Sequence, residues 1–202
     1  MSKLIMFQGD SITDAGRERS DNHLLVGYPA MIKAKLQDAF EYVNYAISGD
    51  TTTQCLERHL FEVVDVKPDI LVLFIGINDI WRIVDEIPGN YDNPLICSSN
   101  ITKMIEATKA SNSDVKIIYV EPYLVPGWSN VYERGYEIYL RYIKELRSKI
   151  PALVDQYIVL QDEFMNNFNN GVIYAEDGVH PNGIGQKYIA SKVIEAIKNL
   201  DA

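Results

Sequence analysis

The chain contains 202 residues, of which 47% are hydrophobic and 23% are charged, and this predicts one globular domain over residues 1–202. Its formal net charge of −9 argues against a protein that binds nucleic acid or an anionic membrane, because both partners attract basic surfaces. The N-terminus has only four consecutive apolar residues before Gln8, fewer than the roughly 7–15 of a signal-peptide core. No stretch approaches the roughly 20 residues of a membrane span. We therefore expect a cytoplasmic protein.

Five apolar runs rich in β-branched residues alternate with helical patterns and predict the strands of a parallel sheet. They are Leu4–Phe7, Tyr42–Ala46, Asp69–Ile75, Val115–Val120 and Tyr157–Leu160. Strands that alternate with helices form βαβ units, whose right-handed crossovers place helices on both faces of the sheet. The sequence therefore predicts an α/β fold of three layers, α/β/α.

Helices between the strands are predicted from apolar residues at helical spacing. The members of three such faces are Ile101, Met104 and Ile105; Tyr136, Tyr139, Leu140, Ile143 and Leu146; and Ile189, Val193 and Ile197. A further helix carries His59, which we predict to lie at the surface. Cys55 and Cys97 lack the spacing of a disulfide framework or a metal cluster, so we expect two free thiols.

Polar segments follow the predicted strands and are expected to meet at one rim, because ligands bind beyond the carboxyl ends of such strands. Ser11 follows the first strand, Gly49 the second and Asn78 the third. The segment Glu121-Pro122-Tyr123 follows the fourth strand, and His180 lies in the loop before the last helix.

Ser11 is a candidate nucleophile, although a serine in a turn is also a common helix cap. Its hydroxyl needs a base to take the proton, and His180 can supply one. Asp177, three residues earlier, can orient the imidazole and stabilise its charged form. For the oxyanion, Gly49 offers an unhindered N–H and Asn78 offers a side-chain amide.

The four blocks that contain Ser11, Gly49, Asn78 and His180 resemble, in this order, those of the GDSL esterases of the SGNH hydrolase superfamily. The likeness extends from Leu4 to about Gly185. It implies a flavodoxin-like sheet of about five parallel strands and serine ester hydrolysis with no cofactor and no metal. It also implies that Ser11 is the nucleophile and gives its own N–H to the oxyanion hole, together with Gly49 and Asn78. By the same resemblance His180 is the base, oriented by Asp177.

The residues of segments 9–14, 47–49 and 76–82 are similar to those of intracellular acetylxylan esterases, which deacetylate short xylo-oligosaccharides. Trp81 can stack on a sugar face and Arg82 can hydrogen-bond its hydroxyls. The alternative is that Trp81 packs under the loop and Arg82 forms a surface ion pair. Asp10, whose side chain we expect to point away from Ser11, is the third candidate substrate-binding residue.

Other rim features are candidates for specificity. Tyr123, Trp128 and Tyr132 can add aromatic surface, and the segment Asp85–Pro94 departs from the family pattern and is a candidate specificity loop. The sequence leaves the oligomeric state open, with the aromatic stretch Trp128–Tyr139 as a candidate interface between copies.

Three rival functions are consistent with parts of the pattern. The first is a lysophospholipase or thioesterase, which requires an apolar acyl channel. The second is a flavodoxin-like flavin-binding protein with residues 11–13 as a phosphate loop, although this leaves Asp177 and His180 without a role. The third is metal-assisted hydrolysis by His180, Asp10 and Asp177, a scattered set of ligands. The sequence favours a serine esterase acting on a small-molecule or oligosaccharide ester.

Overall fold

The computed structural model describes residues 2–89 and 93–200. Its five strands form one sheet in the order β2-β1-β3-β4-β5, and every neighbouring pair is parallel. The strands are β1 (Lys3–Gly9), β2 (Phe40–Asn44), β3 (Ile70–Phe74), β4 (Lys116–Val120) and β5 (Gln156–Ile158). The predicted strands are confirmed, with shifts at their ends. This strand order is that of the flavodoxin-like folds.

The described part of the chain contains eight α-helices. They are α1 (Ser11–Asp14), α2 (Gly27–Leu36), α3 (Thr52–Val66), α4 (Ile77–Val84), α5 (Pro94–Ser111), α6 (Val131–Lys149), α7 (Gln161–Asn169) and α8 (Gly183–Leu200). Helix α2 packs against α8, whereas α3, α5 and α6 pack side by side. The sheet lies between these two layers, as predicted. None of the described helices is long and apolar enough to cross a membrane.

The centre of the sheet is buried on both faces. All five residues of β3 are buried. In the register of the sheet, Val72 of β3 lies opposite Phe7 of β1 on one side and Ile118 of β4 on the other. A strand covered by helices on both sides has no solvent face, so its sequence is continuously apolar instead of alternating. This is why these strands are readable as unbroken hydrophobic runs.

The predicted helix faces are buried except on α6, where Tyr136 is half-buried and Leu140 is 41% exposed. The prediction for His59 is wrong, because its side chain is completely buried. Its Nδ1 lies 2.6 Å from Oε1 of Gln8 on β1, and its Nε2 lies 2.8 Å from Oγ1 of Thr108 on α5. Helix α3 presents this position to the sheet and to α5, where two polar partners compensate for the lost water.

Candidate active site

Ser11 lies at the sharp junction between β1 and α1. Asp10 caps the helix, and its Oδ1 accepts a hydrogen bond from the N–H of Ile12 at 3.0 Å. Ser11 is the first residue of α1, and the first N–H groups of a helix have no partner within it. The junction therefore presents both the hydroxyl and the main-chain N–H of Ser11 beyond the end of the strand.

A continuous chain of hydrogen bonds joins Ser11, His180 and Asp177. Oγ of Ser11 lies 2.8 Å from Nε2 of His180, and Nδ1 of the same ring lies 2.6 Å from Oδ2 of Asp177. The second oxygen, Oδ1 of Asp177, accepts the N–H groups of Val179 at 2.9 Å and His180 at 2.7 Å. The carboxylate thus fixes both the ring and the backbone that carries it.

The electrostatics of this pair favour a charged imidazole opposite a charged carboxylate. The hydrogen bond that His180 donates to Asp177 raises the pKa of His180 above its usual 6.5, and this outweighs the opposite effect of burial. Burial alone would raise the pKa of Asp177, but hydrogen bonds from the His180 ring and from two backbone N–H groups lower it. An imidazolium formed by proton uptake from Ser11 is therefore stabilised where it forms.

The predicted oxyanion donors face the same hollow as the nucleophile. Ser11, Gly49, Asn78 and His180 line a hollow of about 410 Å³, together with Ser48, Trp81, Arg82 and Asp85. The Nδ2 group of Asn78 donates to the carbonyl oxygen of Asp50 at 2.9 Å. Because an amide nitrogen carries two hydrogens, one N–H is left to donate to an oxyanion.

Gly49 adopts a backbone conformation that other residues rarely take. Its φ is +90°, in the region that favours glycine, and its carbonyl oxygen accepts a hydrogen bond from Nη2 of Arg82 at 2.9 Å. On the other side of the loop, the hydroxyl of Ser48 donates to the buried Oδ2 of Asp14 at 2.5 Å. The turn that carries the Gly49 N–H is thus held from both sides.

Arg58 on α3 ties this loop to the nucleophile. Its Nε donates to Oδ2 of Asp50 at 2.6 Å, and its Nη2 donates to the carbonyl oxygen of Gly9 at 3.3 Å. Sequence reasoning missed the roles of Arg58 and Asp14. Arg58 lies within a helix, and Asp14, although it belongs to segment 9–14, has its partner Ser48 in a different loop.

The substrate-binding candidates have separate outcomes. Asp10 is completely buried, and burial raises its pKa to about 7; its contact with substrate stays a prediction. Trp81 is half-buried, with its ring centre 5.7 Å from that of His180. Arg82 lines the hollow and donates a hydrogen bond to the carbonyl oxygen of Gly49. This contact differs from the surface ion pair of the alternative interpretation.

Two rim predictions are corrected. Tyr123 is completely buried and adds no aromatic surface; its hydroxyl donates to the carbonyl oxygen of Val179 at 2.6 Å. Glu121 is also buried and accepts two hydrogen bonds from Arg147, at 2.7 and 2.8 Å. The segment after β4 is therefore buried, and through Tyr123 it contacts the loop that carries His180. By contrast, Trp128 is exposed.

The proposed specificity loop is only partly described. Asp85 lines the hollow, and Asn93 caps α5 through its side chain, but residues 90–92 lie outside the described residues. Within the described ranges, no group of three His, Cys, Asp or Glu side chains is arranged to hold a metal ion. Cys55 and Cys97 are free and buried, as predicted.

Comparisons with known proteins agree over nearly the whole chain. The model of the GDSL-like lipase/acylhydrolase family matches residues 7–188. A protein of Geobacillus stearothermophilus named acetylxylan esterase is 29% identical over 96% of this chain and 93% of its own length. A thioesterase/protease/lysophospholipase of Escherichia coli is 24% identical over 98% of this chain and 86% of its own.

Structural similarity extends over the same length. The crystal structure of an acetylxylan esterase from Geobacillus stearothermophilus aligns with a TM-score of 0.77 at 25% identity, covering 96% of this chain and 94% of that chain. The likeness therefore extends over nearly the whole length of both chains.

Proposed function

The chain belongs to the GDSL-like lipase/acylhydrolase family and is a carboxylic ester hydrolase, and from this premise we propose that it removes acetyl groups from carbohydrate esters through an acyl-enzyme on Ser11. The observation that carries the proposal is the chain of two short hydrogen bonds from Ser11 through His180 to Asp177. This is the arrangement in which a serine hydroxyl becomes a nucleophile at neutral pH.

Two half-reactions use the same groups. In the first, Nε2 of His180 takes the proton of Ser11 while Oγ attacks the ester carbonyl, and the oxyanion accepts from the N–H groups of Ser11 and Gly49 and from Asn78. When the tetrahedral intermediate collapses, the C–O bond to the alcohol breaks and His180 returns the proton to the leaving oxygen. Water then attacks the acyl-enzyme in the same way, which releases acetate and restores Ser11.

The lining of the hollow favours a short acyl group. The residues around Ser11 are polar or aromatic, and the lining formed by described residues includes no aliphatic side chain. An acyl chain of many methylenes gains its binding energy from apolar surface, at about 0.8 kcal/mol per buried CH₂. Because the described lining offers no aliphatic side chains to a long acyl chain, a fatty acyl group gains little binding energy over an acetyl group.

The carbohydrate assignment rests on the half-buried Trp81 beside His180 and on the relative named acetylxylan esterase. An indole face and a guanidinium are suited to a sugar ring and its hydroxyls. The second candidate is a thioesterase or lysophospholipase. The Escherichia coli relative favours it, whereas the described lining of the hollow, which has no aliphatic side chain, disfavours it.

A substrate panel separates these candidates. Esters with one common alcohol and acetyl, butyryl or octanoyl groups measure acyl preference, and acetylated xylotriose measures activity on a sugar. We expect kcat/KM to fall steadily from acetyl to octanoyl, and acetylated xylotriose to be hydrolysed. The Ser11→Ala variant provides the blank for each substrate. A preference for octanoyl esters would overturn the acetyl assignment, and failure on every acetylated sugar would overturn the carbohydrate assignment.

A further inference from the structure

His180 borders two hollows. The first is the hollow of about 410 Å³ that contains Ser11 and the oxyanion donors. A second hollow, of about 250 Å³, is lined by Trp128, Glu176, Asp177, His180 and Asn182. In the proposed reaction the leaving oxygen receives its proton from Nε2 of His180, so the alcohol departs alongside this ring. The second hollow is therefore next to the path of the leaving group.

The segment Tyr123–Ser129, here called the clamp, is fastened to the catalytic loop by four consecutive carbonyl groups. The oxygens of Glu176, Asp177, Gly178 and Val179 accept, in that order, from the N–H of Trp128 at 3.1 Å, the hydroxyl of Ser129, the N–H of Val125 at 3.1 Å and the hydroxyl of Tyr123 at 2.6 Å. Each acceptor is satisfied by a separate donor of the clamp, which fixes the clamp against the loop that presents His180.

Gly127 lets the two segments approach closely enough for these bonds. A Cβ at this position would lie 2.2 Å from the carbonyl carbon of Asp177 and 2.2 Å from the nitrogen of Gly178, which is far inside contact distance. The backbone of Gly127 thus lies directly on the catalytic loop. Trp128, the next residue, is placed by this contact and by its own N–H bond to Glu176.

The Trp128 side chain has no packing role that accounts for it. It is 75% exposed, although its backbone is held firmly against the catalytic loop. Glu176 is exposed beside it and lines the same hollow. A flat indole next to a carboxylate can stack on the apolar face of a sugar ring and accept hydrogen bonds from its hydroxyls.

We propose that Trp128 and Glu176 form a leaving-group subsite that holds the sugar ring of an acetylated substrate while His180 protonates its oxygen. This inference rests on the proposed carbohydrate esterase function and deepens it. It assigns the recognition of the alcohol to the clamp and leaves the acetyl group to the hollow around Ser11. The clamp sets the distance between the two before substrate arrives, so little ordering is needed on binding.

Trp128→Ala tests the subsite, and Phe61→Ala is its matched control, because Phe61 is a similarly exposed aromatic residue (74%) on α3. The measured quantity is kcat/KM for acetylated xylotriose divided by kcat/KM for ethyl acetate. We expect this ratio to fall about tenfold in Trp128→Ala, mainly through a higher KM, and to stay at the wild-type value in Phe61→Ala. Trp128→Phe should recover part of the loss. Thermal unfolding checks that each variant is folded.

Glu176→Gln adds a second readout. It keeps a hydrogen-bond acceptor but removes the charge, so the ratio should fall less than in Trp128→Ala. Acetylcholine is a cationic test substrate. If both variants lose most of their kcat/KM for acetylcholine but keep it for the sugar ester, the hollow is a cation site and the proposal is overturned.

The two levels of the proposal fail differently. If acetylated xylotriose is hydrolysed and Trp128→Ala leaves the ratio unchanged, the subsite is wrong and the carbohydrate esterase function stands. If wild type hydrolyses ethyl acetate but none of the acetylated sugars, the carbohydrate function is overturned and the subsite with it. A change of oligomeric state in Trp128→Ala, measured by light scattering, would identify this surface as an interface and also overturn the subsite.

Discussion

His180 and His59 place the same side chain in opposite environments of one molecule. His180 is exposed in the loop before α8, where its ring joins Asp177 to Ser11 and its pKa is raised. His59 lies on α3 beneath the surface, between Gln8 and Thr108, and burial lowers its pKa to about 4. Both rings use both nitrogens, and both have short hydrogen bonds.

The difference is the charge of the partners. A carboxylate beside His180 stabilises an added proton, whereas the neutral amide and hydroxyl beside His59 do not offset the cost of burying a charge. Proton transfer at neutral pH is therefore available at one histidine and not at the other. A hydrogen-bonded histidine indicates a base only when an anion supports it.

Asp177→Asn gives the largest effect, because it makes the His180 site resemble the His59 site. An amide in place of the carboxylate no longer stabilises the imidazolium and can favour the wrong tautomer, so we expect kcat on a small acetyl ester to fall about 10⁴-fold. Steady-state kinetics measure this loss, and circular dichroism should show an intact fold. A variant with wild-type kcat would contradict the role of Asp177.

Asn78→Ala extends the comparison from histidines to asparagines. Its free N–H is proposed to stabilise the oxyanion, so we expect kcat to fall about 10²–10³-fold with little change in KM. Asn44 is the counterpart in the interior: it is completely buried and bonded to Thr13 and Ala46. Asn44→Ala should mainly reduce the free energy of unfolding. If kcat falls equally in the two variants, the oxyanion role assigned to Asn78 is contradicted.

The pH profile tests the raised pKa of His180. The base must be neutral in the free enzyme, so kcat/KM should fall as pH decreases, with a midpoint above 6.5, and about tenfold per pH unit below it. Asp10, whose pKa is raised to about 7, titrates in the same range. Asp10→Asn removes that titration, and the acid limb should persist. A profile that is flat down to about pH 5 would exclude His180 as the base.

His59→Leu should leave kcat/KM unchanged and lower the free energy of unfolding by about 1–3 kcal/mol, because Gln8 loses a buried partner. The pH dependence has a definite sign. Below pH 6.5 the unfolded chain protonates His59, whereas the folded chain does not until about pH 4, so wild-type stability falls between these values as pH decreases. Denaturant unfolding at several pH values should show this dependence reduced in the variant. A large kinetic effect would place His59 in the active site after all.

The fold was predictable because β1, β3 and β4 are buried on both faces, so their sequences are continuous apolar runs. The candidate site was predictable because Ser11, Gly49, Asn78 and His180 each follow a strand or precede a helix at one rim. Burial of His59 and Asp10 was not predictable, since it depends on which neighbours the sheet and α5 bring into contact. The clamp was equally unpredictable, because its donors bond to backbone carbonyls of the catalytic loop, and every residue type has such a carbonyl.

The four bonds between the clamp and the catalytic loop also couple two segments that lie about 50 residues apart in sequence. Separation of the two segments leaves all four carbonyl groups without these donors, so the bonds support one another. The amide hydrogens of Val125 and Trp128 exchange with solvent only when their own bonds to the catalytic loop are broken. Their deuterium uptake therefore reports, in the absence of any substrate, the fraction of molecules in which the clamp and the catalytic loop have separated.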